Sequence, residues 1–353
     1  MKFISISTAT LIAVLISNTA LAQFTPNPNL ATAHFSSTAS TNISLQEISA
    51  TKGLTARIVK LLKDNTDGGV VGLYLKQVKG SVLASSQSQT TFYPASTIKV
   101  LQHFHAMRAV EAGNVSLDST KVKVYPNPPD SCSDNHAGQN FNNDTLRETL
   151  AKMMKNSDNQ STNAIQELFG NGNASIGRNA INKTAHNVIG MSKNSAVNHK
   201  SGCGGPSNNP ANSLTLVDLG KLYEKVATGV FSSNSTRDTF YNLMIRSPGQ
   251  ITTVINEEAA KIGLNANIIQ SFKNQVRTAV KAGGYTTGNG TKYNSIGGWV
   301  RLPFKKNGVV KSQEYVFGIF IDQATKINEN FGVGLASSEL LRDEIRAALT
   351  TFK

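Results

Sequence analysis

Ser96-Thr97-Ile98-Lys99 sets a hydroxyl and an amine three residues apart. At the start of a helix those positions share a face, so the two groups can come within hydrogen-bond reach. A serine hydroxyl is a poor nucleophile until a base takes its proton. Lysine serves as that base when burial and a second nearby cation lower its pKa. Two further short motifs carry matching chemistry. Ser157-Asp158-Asn159 offers a hydroxyl to relay a proton and an amide to hold a carbonyl. Lys281-Ala282-Gly283-Gly284 offers a fixed cation for a carboxylate, and its glycines let a ligand backbone approach closely.

Each pattern has a decoy in the same chain. Ser49-Ala50-Thr51-Lys52 repeats the first, Ser133-Asp134-Asn135 the second, and Lys200-Ser201-Gly202 and Lys306-Asn307-Gly308 the third. Context separates them. Ser96 follows a tight Tyr93-Pro94-Ala95 turn and opens an amphipathic run in which Val100, Leu101, Phe104, Met107 and Val110 share a face. Ser157 joins two helical runs, 145–155 and about 161–169. Lys281 ends the first of three strand-like stretches, 277–281, 295–300 and 315–321, which precede a closing helix through Leu340, Leu341, Ile345 and Leu349. The decoys fall in a leader, in loops and in a turn.

The elements that position these groups begin near Leu54, where Leu54, Ile58, Leu61 and Leu62 recur at helical spacing. Residues 69–84 read as a β-hairpin. The middle of the chain is helical, with a further run over 214–226 and loops over 129–144 and 202–212. The order helix, hairpin, helices, three strands, helix predicts an α/β fold of the α+β type. An antiparallel sheet is built from both chain ends, with helices from both ends flanking it and an all-helical domain inserted. The boundaries read as 1–22 signal peptide, 23–48 flexible leader, 49–92 with 248–353 sheet domain, and 93–247 helical domain. Residues 1–22 combine Lys2, a short apolar run and Ala20-Leu21-Ala22, which predicts an exported, periplasmic or secreted protein.

The formal charge of +13 suits an anionic cell envelope. Scattered basic residues and 7% aromatics argue against nucleic acid as the partner. No stretch predicts stable membrane insertion, nothing demands a protein partner, and the expected state is a monomer. Cys132 and Cys203 are the only cysteines. In an exported chain they read as one disulfide, the alternative being two buried thiols. Neither has the spacing of a metal site, and no cofactor is expected.

In this order and context, the three motifs resemble the signature set of class A β-lactamases and penicillin-binding proteins. The resemblance spans about Leu54 to the C-terminus, and the inserted helical domain is closer to the class A layout. It implies acylation of Ser96, proton abstraction by Lys99, and proton relay through Ser157. It further implies an acyl-amide contact at Asn159, carboxylate attraction by Lys281, and close substrate approach at Gly283 and Gly284. The oxyanion hole would be the N–H of Ser96 with one near Gly284 or Tyr285. The implied partner is a small β-lactam or a peptidoglycan stem peptide.

The chain departs from that family at one step. The loop glutamate that activates the deacylating water is missing, since no Asp or Glu occurs between Glu167 and Asp218. His199 or Lys99 is left to replace it, or the adduct is hydrolysed slowly. His199 also reads as a loop-packing residue, and both readings stay open. Ala282 stands where the family has a hydroxyl. The readings that follow are a β-lactamase, a D-Ala-D-Ala peptidase or transpeptidase, or a binding module without turnover.

Overall fold

Along its last three strands the chain sends alternate side chains to opposite sides, and two cores result. The computed structural model describes residues 45–126, 132–244 and 250–353. Helix α1 (Leu45–Asp64) precedes a short strand β1 (Thr66–Asp67) and the hairpin β2 (Val70–Gln77) and β3 (Val82–Ser86). After α2 (Lys99–Glu111), strands β4 (Lys121–Val124) and β5 (Asn142–Thr145) form a separate antiparallel ribbon. Helices α3 (Leu146–Lys155), α4 (Asn159–Leu168), α5 (Ala174–Thr184), α6 (Leu216–Ala227), α7 (Asn234–Asn242), α8 (Gln250–Ile262) and α9 (Ala266–Gln275) follow. The chain closes with β6 (Arg277–Thr286), β7 (Lys292–Lys306), β8 (Val309–Ala324), β9 (Lys326–Ile327) and α10 (Val333–Thr350).

The five-stranded sheet has the order β3-β2-β8-β7-β6, and its pairs are antiparallel. In β8, Tyr315, Phe317, Ile319 and Ile321 are buried in a core shared with α1, α8 and α10. Val316 and Phe320, one step out of phase, join Tyr74 and Trp299 in a core with α2, α3 and α6. That period of two is what a sheet covered on both faces requires. Helix α6 lies close against the sheet because Gly318 has no side chain: a Cβ there would sit 2.7 Å from Leu216.

The structure alters several sequence expectations. Helix α1 starts at Leu45, ahead of Leu54 and inside the stretch read as leader, because Leu45-Gln46-Glu47-Ile48 are ordinary helix formers. The inserted region is not all helical. The β4–β5 ribbon lies in it, and β5 falls at the end of the 129–144 segment read as loop. Polar Asn142-Asn143-Asp144 has no strand pattern of its own; pairing to Lys121–Val124 makes it a strand. Helices α5, α7, α8 and α9 were not expected. Asn234–Asn242 is mostly polar, whereas Ile251, Val254, Ile255, Glu258 and Ala259 in α8 do follow helical spacing and are buried. The signal peptide over 1–22 and most of the leader lie outside the described residues. No helix among the described residues is long and apolar enough to cross a membrane.

Candidate active site

Phe92 exchanges backbone hydrogen bonds with Leu214, and the Tyr93 N–H donates to the Asp322 carboxylate 3.0 Å away. Ala95 then takes φ +44°, a left-handed conformation uncommon for a residue with a side chain. Residues Ala95–Ile98 form one 3-10 turn that runs into α2. The turn is tied down from the sheet. Thr97 Oγ1 donates to the Lys281 carbonyl at 3.2 Å and lies 2.7 Å from Ser295 Oγ, which donates to the Pro94 carbonyl at 2.6 Å. Gly283 pairs with Ser295 across β6 and β7. A Cβ on Gly283 would lie 2.8 Å from the Pro94 carbonyl and closer still to the Ser96 nitrogen. Only glycine lets β6 pass so near the Ser96 backbone.

Lys99 is fully buried at the start of α2. Its Nζ donates to the Ser157 carbonyl (2.6 Å), to Asn159 Oδ1 (2.7 Å) and, at 3.4 Å, to Ser157 Oγ. Ser96 Oγ is not among its hydrogen-bond partners, so the two motif residues are neighbours without a direct bond. Burial lowers the Lys99 pKa to about 7, against the opposing pull of the Asp158 carboxylate. Ser157 sits at φ +59° in the three-residue link, residues 156–158, between α3 and α4. Asp158 caps α4 by accepting from the Ser161 N–H at 2.7 Å, which aims Ser157 and Asn159 toward Lys99.

From the far side, Lys281, only 2% exposed, donates from Nζ to Ser157 Oγ at 2.9 Å and to the Ala282 carbonyl at 2.7 Å. Ser157 Oγ thus accepts from two lysines, and its own hydrogen must point elsewhere. Residues from three motifs meet at one oxygen, with 58 positions between Lys99 and Ser157 and 124 between Ser157 and Lys281.

Ser96, Asn159, Gly284 and His199 line a common cleft, together with Tyr93, Ser201, Gly202, Asn212 and Tyr285. His199 Nδ1 lies 2.8 Å from the Lys200 carbonyl, and Asn212 Oδ1 accepts from the backbone N–H of both Asn198 and His199. Burial, reinforced by Arg178, lowers the His199 pKa, although its bond to the Lys200 carbonyl works the other way. Cys132 and Cys203 form a disulfide that ties this loop to the segment after β4.

The decoys lie elsewhere. Ser49–Lys52 is inside α1, and Lys306-Asn307-Gly308 turns β7 into β8. The remaining two decoys meet each other: Lys200 Nζ donates to the Ser133 carbonyl (2.6 Å) and pairs with Asp134 (3.0 Å) and Glu167 (2.7 Å). Sequence reasoning gave no role to Thr97, Ser295, Tyr93 and Asn212, and Tyr285 entered only through its backbone N–H. A hydroxyl amid the apolar β7 strand was a signal for Ser295; a lone loop asparagine gave none. Among the described residues no cluster of His, Cys, Asp and Glu could hold a metal ion.

The model of the beta-lactamase enzyme family matches residues 53–334. Among solved structures, the chain is similar to a representative class A beta-lactamase from Bacteroides cellulosilyticus, with 17% identity and a TM-score of 0.61 over 84% of this chain and 99% of that one. A beta-lactamase from Chitinophaga pinensis is similar at 17% identity and a TM-score of 0.60, over 83% of this chain and 98% of that one. PBP-A is similar at 21% identity and a TM-score of 0.56, over 85% and 96%. At these identities the likeness is one of fold. No curated protein matches the chain.

Proposed function

Because the chain belongs to the beta-lactamase enzyme family, we propose that it is a serine hydrolase that opens the β-lactam ring through an acyl-enzyme on Ser96. The observation that carries this reading is the meeting of Lys99 and Lys281 at Ser157 Oγ, beside the Ser96 turn. Lys99, its ammonium destabilised by burial, takes the Ser96 proton as the hydroxyl attacks the lactam carbonyl. The ring nitrogen leaves with a proton relayed through Ser157. Lys281 attracts the substrate carboxylate, and Asn159 Nδ2, free of the Lys99 contact, holds the acyl amide. The oxyanion lies against the Ser96 N–H and a second N–H from Gly284 or Tyr285.

A second reading has its own observation. The acid-free stretch from residue 168 to 217 leaves the usual deacylating carboxylate without a counterpart, which suits a D-Ala-D-Ala peptidase or transpeptidase acting on stem peptides. A binding module without turnover is the third reading. Incubation with a chromogenic cephalosporin and a fluorescent penicillin separates them. Rapid colour without lasting label supports the lactamase; lasting label with D-alanine release from a peptide donor supports the peptidase. Ser96→Ala is expected to abolish labelling, and persistent labelling overturns the nucleophile. Export directed by residues 1–22 belongs to the same proposal, and the N-terminal sequence of the secreted protein tests it.

A further inference from the structure

His199 stands at a junction. It lines the cleft that holds Ser96, and it also lines a second, polar cavity with Arg178, Asn198, Asn208 and Asn209. Its Nδ1 faces the Lys200 carbonyl at 2.8 Å. A carbonyl only accepts, so Nδ1 carries the hydrogen and Nε2 holds the lone pair. Nε2 is shielded and has no hydrogen-bond partner among the described residues. An unpaired buried acceptor is costly and calls for an explanation such as a catalytic role or a bound water.

The surrounding loop is held rigidly for a surface segment. Asn212 Oδ1 fixes the backbone at Asn198 and His199. The next residue, Lys200, is locked to Glu167, and three residues further on Cys203 is bonded to Cys132. Such support fixes the backbone that carries His199 beside the cleft, as a positioned base needs.

We infer that His199 is the base that activates water to hydrolyse the acyl-enzyme, an assignment that rests on acylation of Ser96. Once the ring turns enough to uncover Nε2, water from the polar cavity bonds to the ester carbonyl carbon while its proton passes to His199 Nε2. The tetrahedral intermediate then breaks its bond to Ser96 Oγ, and the proton gained by His199 returns to that oxygen. The products are a carboxylic acid and free Ser96. A histidine thereby fills the place that the acid-free loop leaves without a carboxylate.

The charged groups at the second cavity are Arg178 of α5, Asp134 beside Cys132, and Lys200, which Glu167 of α4 neutralises. Tyr93 and Tyr285 line the Ser96 cleft. With burial and Arg178 lowering its pKa, His199 is neutral at pH 7. Deacylation should therefore be level near neutrality and fall as pH drops below the ordinary histidine value of ~6.5.

The test is single-turnover decay of the fluorescent penicillin adduct on the full chain, followed by intact mass. His199→Ala should still form the adduct but release it about 100-fold more slowly, as loss of a general base requires. The low-pH limb of the decay should vanish with it. Unchanged decay in His199→Ala, or a wild-type adduct that never decays, overturns the assignment while leaving acylation intact. Failure of the wild type to label at Ser96 instead removes the reading beneath it. Should His199→Ala not fold, His199→Gln and the wild-type pH profile of decay decide: a profile without the acid limb overturns it.

Discussion

Two buried lysine centres, built from similar residue types, lie at the two ends of α4, one at Ser157 and Asn159 and the other at Glu167. At one, Lys99 and Lys281 converge on Ser157 Oγ, with Asp158 turned away to cap α4. At the other, Lys200 meets Ser133 and is paired directly with Glu167 and Asp134. The second centre is electrically closed: its cation has carboxylates within 3.0 Å, one of them buried. The first is open. Lys99 has only neutral acceptors, and burial holds its pKa at about 7. A serine and lysine in a cleft therefore do not by themselves make a reactive site. What separates the two lysines is whether the protein supplies a carboxylate counter-charge; under the proposed function, the one left without it is the reactive one.

The largest expected effect comes from removing the open cation. Lys99→Met should slow penicillin labelling about 10³-fold, within the range for loss of a general base. In the wild type, labelling should rise with pH through about 7, since only neutral lysine accepts the Ser96 proton. Stability carries the same signature. Between about 7 and the ordinary value of 10.5 the unfolded chain binds more protons at this residue than the folded one. Stability should therefore rise with pH across that window. Lys99→Met should abolish this rise and be more stable than the wild type at pH 6 by denaturant unfolding. A labelling rate insensitive to the substitution would put Lys99 in the same class as Lys200.

At the closed centre the effect should be on stability alone. Glu167→Leu leaves Lys200 buried without its inner partner and should cost about 3–5 kcal/mol. Lys200→Met with Glu167→Leu should recover most of that loss, because no charge is then stranded. Denaturant midpoints for the two variants measure the difference, and a loss below ~1 kcal/mol would mean the pair is not what holds Lys200.

Motif spacing singled out Ser96, Lys99, Ser157, Asn159 and Lys281, and the fold brings these distant segments together. Flanking patterns were enough to choose them over the decoys: a helix after Ser96, helices around Ser157, and a strand before Lys281. Contacts that depend on distant chain segments were not legible. Nothing local marks Thr97 as the partner of Ser295 in tying the Ser96 turn to the sheet. The meeting of the decoys Ser133-Asp134 and Lys200 was equally hidden. Polar segments also escaped. Helix α7 is stabilised by burial of Phe240 and Tyr241 in an otherwise hydrophilic run, and β5 by its partner strand. The main sheet was easier, because strands covered on both faces carry continuous apolar sequence that survives without context.

The smallest effect sharpens the comparison most. Asp134 completes the closed centre, yet its side chain is 51% exposed while that of Lys200 is 5% exposed. Water and salt screen a pair at that depth, so Asp134→Asn should cost no more than ~1 kcal/mol while Glu167 remains. In the Glu167→Leu background Asp134 becomes the only carboxylate on Lys200 among the described residues, and the same substitution should cost clearly more. A double-mutant cycle by denaturant unfolding reads that coupling. Strict additivity would show that the two carboxylates act independently and that the centre is not closed as a unit. A cost that grows when Glu167 is gone would show that Lys200, unlike Lys99, is held by charge compensation.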